Sequence, residues 1–192
     1  MGWKICSPHP HHSSDCVKFV PTPLQGVVML ELDKSEDIRG FFARTCDVED
    51  FSRHGLKANF RQYSISFNHK KGTVRGMHFQ IAPQAETKLV RCTRGAIFDV
   101  VVDLRPESPT FCQSYGVELT QENHRSLFIP EGIAHGFQTL EDCSEVYYQI
   151  SPDYSPEHSR GARWNDPRFS IRFPLPISVV SERDLAFPDF KI

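Results

Sequence analysis

The side chains best suited to chemistry fall in two segments. One is Arg75-Gly-Met-His-Phe-Gln80, followed by Glu86 and Lys88; the other is Ile129-Pro-Glu-Gly-Ile-Ala-His135-Gly-Phe. Imidazole titrates near neutrality, so His78 and His135 suit either removal of a carbon-bound proton or coordination of a metal. His78, Glu86 and His135 together would offer a divalent metal two nitrogens and a carboxylate. That set is incomplete, because Gln80 two residues after His78 is a poor ligand and Lys88 two residues past Glu86 would repel a cation. Lys88 heads the apolar run Leu89-Val90. Burying an ammonium there is costly, so an inward-facing site position is the reading that accounts for it.

A second cluster, Cys6, His9, His11, His12 and Cys16, contains soft metal ligands. Pro8, Pro10, Ser13 and Ser14 between them give nothing to hold ligands rigidly, so residues 1–16 read as a flexible polar leader and 17–192 as the folded domain.

Short strands must position these groups. Gly26–Leu32 reads as a strand, Asp33–Arg39 as a polar loop, and Asp47–His54 as one or two helical turns capped by Asp47. Phe60–Phe67 alternates, with Phe60, Gln62, Ser64 and Ser66 on one face and Arg61, Tyr63, Ile65 and Phe67 on the other. A turn at Lys70-Lys-Gly72 precedes a strand over Thr73–Gln80, and Lys88–Thr93 and Ala96–Arg105 flank a turn at Arg94-Gly95. In that last strand Phe98, Val100, Val102 and Leu104 form an apolar face. Asp99 and Asp103 lie on the other, which predicts that it meets water or lines a polar cavity. Further strands fit Ser114–Leu119, Ser126–Ile129, Gly136–Leu140 and Glu145–Ile150, and the proline-rich residues 151–192 read as wrapping the surface. About ten short strands without helix–strand alternation predict an all-β sandwich or jelly roll.

Composition narrows the class. The 192 residues carry a formal charge of −2, with 39% hydrophobic and 24% charged residues. That is one globular domain, neither disordered nor fibrous. No basic block points to nucleic acid, and no apolar run is long enough to span a bilayer. The six cysteines are scattered without a CxxC pair, and no apolar secretory core precedes them, so all six read as reduced thiols in the cytoplasm.

The two chemical segments resemble the halves of the cupin signature, a small jelly-roll barrel with its site inside. Over residues 18–192 the chain resembles the dTDP-4-dehydrorhamnose 3,5-epimerase family. The blocks occur in order: Asp37-Ile-Arg-Gly-Phe-Phe42, Arg75–Gln80, Lys88-Leu-Val-Arg-Cys92, Phe98–Arg105, Ser108-Pro-Thr-Phe111, Ile129–Phe137, Tyr154-Ser-Pro156, Trp164-Asn-Asp-Pro167 and Ser181-Glu-Arg-Asp184. The resemblance implies a cupin barrel with short peripheral helices, needing no metal or other cofactor, that epimerises a nucleotide-linked 4-keto-6-deoxyhexose at C3, C5 or both. It implies deoxysugar or surface-polysaccharide synthesis, and a homodimer that exchanges N-terminal strands.

The roles it implies fall on matching positions. His78 is the base, Tyr148 the acid on the opposite face, Lys88 the enolate partner, and Asp184 the group that orients His78. Arg39, Phe42, Arg44, Gln62, Ser64, Arg75 and His135 are the substrate-binding positions. Strict alternation puts His78 and Gln80 on one face and excludes Arg75, which must then lie at the strand's mouth or beside a bulge. The chain departs from the family at Arg44, where a glutamate is usual, and at Ser64, where Asn is usual. Exchanging an acceptor for a fork of donors changes base or phosphate recognition. Two rival classes are a metal-dependent cupin enzyme using His78, Glu86 and His135, and a sugar-nucleotide-binding module without catalysis.

Overall fold

The computed structural model describes residues 16–191. The expected leader, apart from Cys16, lies outside them, and so does its His/Cys tract. In chain order the elements are β1 (Val17–Pro21), β2 (Val28–Leu32), β3 (Ser35–Asp37), β4 (Gly40–Phe42), α1 (Val48–Arg53), β5 (Gln62–Asn68), β6 (Thr73–Gln80) and β7 (Thr87–Arg94). They continue with β8 (Ala96–Asp103), β9 (Ser114–Thr120), β10 (Ser126–Ile129), β11 (Ile133–Thr139), β12 (Ser144–Ser151), β13 (Ser159–Gly161), β14 (Val179–Val180) and α2 (Glu182–Leu185). No helix among the described residues is long and apolar enough to cross a membrane.

Two antiparallel sheets face each other. The first has the order β1-β2-β10-β7-β12-β5 and the second β13-β6-β11-β8-β9, with β14 joining β6 in parallel. This is the expected all-β jelly roll of the cupin type. Strand alternation dictates its layers. Val90, Leu127 and Val146 from the first sheet meet Ile97, Val101, Leu119 and Phe137 from the second in the space between them. The intervening residues of the same strands face outward into two further cores. Leu30, Leu89 and Phe128 pack under α1 against Phe51, and Met77, Val100, Val102 and Ala134 pack under the C-terminal segment against Ala162 and Phe169. The proline-rich tail therefore supplies core and two strands as well as covering the surface. The helix begins as expected, with the Asp47 side chain accepting from the Glu49 and Asp50 N–H groups.

Two local expectations need correction, and the choice between water and a polar cavity for the β8 acids is decided. Asp33–Arg39 is not simply a loop: β3 and β4 form a hairpin, whose turn is fixed by the Asp37 carboxylate accepting from the Arg39 N–H at 2.8 Å. A further strand, β1, precedes Gly26; it ends in Pro21 and sits at a sheet edge, where a missing donor costs nothing. Both faces of β8 are buried, so its acids do not meet water. Asp99 and Asp103 are each wholly enclosed.

Asp103 closes one end of the barrel. Its carboxylate accepts from Arg105 at 2.9 and 2.7 Å, Ser108 Oγ at 2.6 Å and Thr110 Oγ1 at 2.7 Å. Burial alone would push this carboxyl up, but those donors outweigh it and hold the group at about 2, against 3.8 in an unperturbed chain. A folded value below the unfolded one stabilises the fold above about pH 4, by about 2 kcal/mol, and the contribution is lost as pH falls from about 4 to about 2. Asp103→Asn is expected to flatten that acid limb in urea-midpoint measurements; an unchanged limb would show that other carboxyls set it.

Candidate functional site

One cavity of about 290 Å³ between the two sheets gathers most of the expected residues. β6 and β11 bring His78 and His135 directly opposite each other in register. On the first sheet, β12 carries Tyr148 beside Ser64 of β5 and Val90 of β7, and β7 carries Lys88. The neighbouring Tyr147 is opposite Arg91, and so points to the outer face of the sheet. That separates the two tyrosines. Arg75 reaches the cavity because the β6–β11 register shifts between the His78 and Arg75 pairings, which is the irregularity strict alternation required. The Arg75 side chain is pinned by Nε donating to Asn68 Oδ1 at 2.7 Å.

Asp184 arrives from the far end of the chain. β14 runs along the start of β6, and Ser181 caps α2 by accepting from the Asp184 N–H at 3.1 Å. This brings the carboxylate over β6, where Oδ1 lies 2.8 Å from His78 Nε2 and Oδ2 accepts from the Gly76 N–H at 3.0 Å. Burial pushes this carboxyl up, but the bonds from His78 and Gly76 outweigh it and hold it below the usual carboxylate range. An ionised carboxylate on one ring nitrogen fixes the orientation of the His78 ring. The other nitrogen, Nδ1, has no partner among the described residues. Phe187 meets the ring edge-on at 5.8 Å. It fits only because residue 161 is glycine, where a Cβ would lie 2.3 Å from the Phe187 ring.

On the facing wall, burial pushes the Tyr148 phenol well above its ordinary value, so it holds its proton at neutral pH. Its ring stands 6.0 Å from His135 in an edge-on contact. His135 is itself held by Asp99, with Nε2 2.7 Å from Oδ1. Asp99 is thus the carboxylate behind His135 and not a partner of His78, and Asp103 belongs to the Arg105 network. Lys88 Nζ lies 2.8 Å from Glu86 Oε1 and donates to the His78 carbonyl at 3.4 Å.

The candidate metal ligands are therefore each engaged elsewhere: His78 by Asp184, His135 by Asp99 and Glu86 by Lys88. Among the described residues no group of three His, Cys, Asp or Glu side chains is arranged to hold a metal ion. Gln80 joins two loops, with its carbonyl accepting from Ser155 N–H at 2.8 Å and its amide donating to the Gln84 carbonyl at 3.0 Å.

Four expected binding residues do not reach this cavity within their own chain. Arg39 is paired with Asp37 on the exposed β3–β4 hairpin, and Phe42 there is 76% exposed. Arg44 donates to Asp47 at 2.9 Å and to Cys16 Sγ at 3.1 Å. Gln62 donates to the Pro152 carbonyl at 2.6 Å. Conversely, Arg183 and Tyr154 line the cavity without having been singled out. Arg183 adjoins Asp184 in a helical turn, where neighbours in sequence do not share a face, so no spacing signal pointed to it.

The arrangement can do one kind of chemistry well. A carboxylate-backed imidazole on one sheet faces a protonated phenol and an ammonium on the other, across a space the size of a sugar ring. A family model described as dTDP-4-dehydrorhamnose 3,5-epimerase matches residues 21–191. The chain belongs to that family. Among curated members of this isomerase family, the Sinorhizobium fredii dTDP-4-dehydrorhamnose 3,5-epimerase is 40% identical over 175 residues, covering 91% of this chain and 90% of its own. The crystal structure of the Elizabethkingia anophelis epimerase superposes with a TM-score of 0.88 at 36% identity, over 92% of this chain and 97% of that one. The Legionella pneumophila dTDP-6-deoxy-D-glucose-3,5-epimerase, solved in complex with dTDP-4-keto-L-rhamnose, gives a TM-score of 0.84 at 34% identity, over 90% and 92%.

Proposed function

We propose that this chain inverts C3 and C5 of a dTDP-linked 4-keto-6-deoxyhexose by proton abstraction and reprotonation, in deoxysugar or surface-polysaccharide synthesis. The carrying observation is the His78–Asp184 pair on one sheet facing Tyr148 and Lys88 on the other across one cavity. The C4 ketone acidifies its neighbouring C–H bonds. His78 takes the proton through its uncommitted nitrogen, Lys88 donates to the enolate oxygen, and Tyr148 returns a proton from the opposite face, which inverts the centre. The dTDP carrier and the two centres are supported by the relatives, which bear the 3,5-epimerase name at about 40% identity. Arg75 at the mouth of the cavity suits the diphosphate. Incubation with dTDP-4-keto-6-deoxyglucose, followed by NMR of the sugar, is expected to show the product inverted at both carbons. Unchanged substrate would contradict the proposal.

We further place the chain in the cytoplasm as a homodimer. Five free thiols among the described residues favour a reducing compartment. Ile38 and Phe42 on the hairpin, and Tyr63 and Ile65 on the outer face of β5, are exposed apolar side chains suited to burial by a second copy. Exchange of this region would carry Arg39 and Phe42 toward a partner's cavity. Light scattering is expected to give twice the 22.0 kDa chain mass; a single-chain mass would overturn the dimer.

A further inference from the structure

The cavity proposed to receive an anionic diphosphate contains a carboxylate. Among the described residues Glu86 is the one acid lining it; Asp184 and Asp99 lie behind their histidines. The other charged and titratable groups facing the space are Arg75 and His78 from β6, His135 from β11, Lys88 from β7, Tyr148 from β12, Tyr154 from the segment after β12 and Arg183 from α2. A carboxylate in such a place opposes substrate binding, so its presence calls for a function that offsets the repulsion.

Its geometry supplies one. Glu86 Oε1 lies 2.8 Å from Lys88 Nζ, with the two side chains 11% and 7% exposed. A second N–H of the ammonium reaches the His78 carbonyl at 3.4 Å. These are its only partners among the described residues, which leaves one N–H for the cavity. Without Glu86 the flexible ammonium would be free to swing toward the diphosphate, the strongest anion in reach. The carboxylate is itself fixed from outside, since its loop is tied to β6 through the Gln80–Gln84 bond.

We propose that Glu86 is a positioning residue that holds Lys88 in the cavity wall, so that its remaining N–H is aimed at the enolate oxygen and kept off the diphosphate. This rests on the reaction proposed above, in which Lys88 meets the enolate.

The test is a cycle of Glu86→Gln, Lys88→Met and the double variant, measured for kcat and KM, with thermal midpoints as a check on folding. Gln keeps the shape and one acceptor but loses the charge that roughly doubles the bond's strength. Glu86→Gln is expected to lower kcat about tenfold or more with KM changed less than threefold. Lys88→Met should lower kcat by about 10²–10³, as for loss of an oxyanion donor. The double variant should turn over no more slowly than Lys88→Met alone, because Glu86 acts through Lys88. Losses that multiply in the double variant, or a Glu86→Gln protein within threefold of wild type, would overturn the proposal. Nitrogen-detected NMR of the lysine ammonium groups gives a readout that needs no turnover. A protected resonance, absent from Lys88→Met, should be present in wild type and lost in Glu86→Gln. Wild-type protein that fails to epimerise would overturn the reaction, while this resonance still decides whether Glu86 holds Lys88; its survival in Glu86→Gln would overturn the holding role.

Discussion

His78→Ala protein, given dTDP-4-keto-6-deoxyglucose in D₂O, is expected to exchange neither the C3 nor the C5 proton and to lose about 10³–10⁴-fold in kcat, the upper range for removal of a positioned base. No other group in the cavity is equipped to replace it. Tyr148 is held protonated by its burial, Lys88 is tied to Glu86, and His135, though likewise backed by a carboxylate, is enclosed with its side chain only 5% exposed. Folding should be little affected. The His78 side chain is 37% exposed, and Asp184 keeps the Gly76 N–H through its second oxygen. Binding should survive as well, because Arg75 is held by Asn68 and not by His78. The effect therefore belongs in kcat, with KM nearly unchanged. A His78→Ala protein retaining a tenth of wild-type exchange would show that another group is the base.

The second large effect separates the two halves of the inversion. Tyr148→Phe should keep proton exchange within about tenfold of wild type while product formation falls by about 10²–10³, because His78 can still remove a proton and return deuterium on the same face. Its phenol makes no hydrogen bond to the described residues, so removing the hydroxyl leaves no partner orphaned and the packing of the ring against His135 is kept. Comparison of deuterium washout with inversion in one NMR time course measures both. Equal losses in the two would place Tyr148 in the abstraction step or in binding.

How much of this was legible in the sequence depended on the kind of information each residue carried. Alternation grouped His78 with Gln80 on one face of β6, since a strand's period is a local property, and the cost of burying an ammonium pointed Lys88 inward; Tyr148 was reached through family resemblance alone. Arg75 required a bulge, and the sequence pattern could say only that one was needed. Asp184 lies 106 positions from His78; no local periodicity joins them, and only family resemblance pointed to the pair. Glu86 was visible as an acid near a histidine, and that proximity suggested a metal ligand. Its true partner is Lys88, two residues on, just inside the start of β7. The acids of β8 read as facing either water or a polar cavity, and they turn to the inter-sheet interior, with Asp99 held against His135 of the cavity, because the C-terminal segment builds a second core behind that sheet. Arg39 and Phe42 belong to a matching block, yet the hairpin that carries them lies away from this chain's own cavity. Block order says nothing about which copy a segment serves.

The central claim is that this cavity enolises a ketosugar on both sides of its carbonyl. The most direct measurement follows wild-type protein with dTDP-4-keto-6-deoxyglucose in D₂O by proton NMR. Loss of the C3 and C5 signals, with deuterium in a product inverted at both carbons, is the result predicted. A folded protein that binds the nucleotide sugar and leaves both signals intact would contradict it.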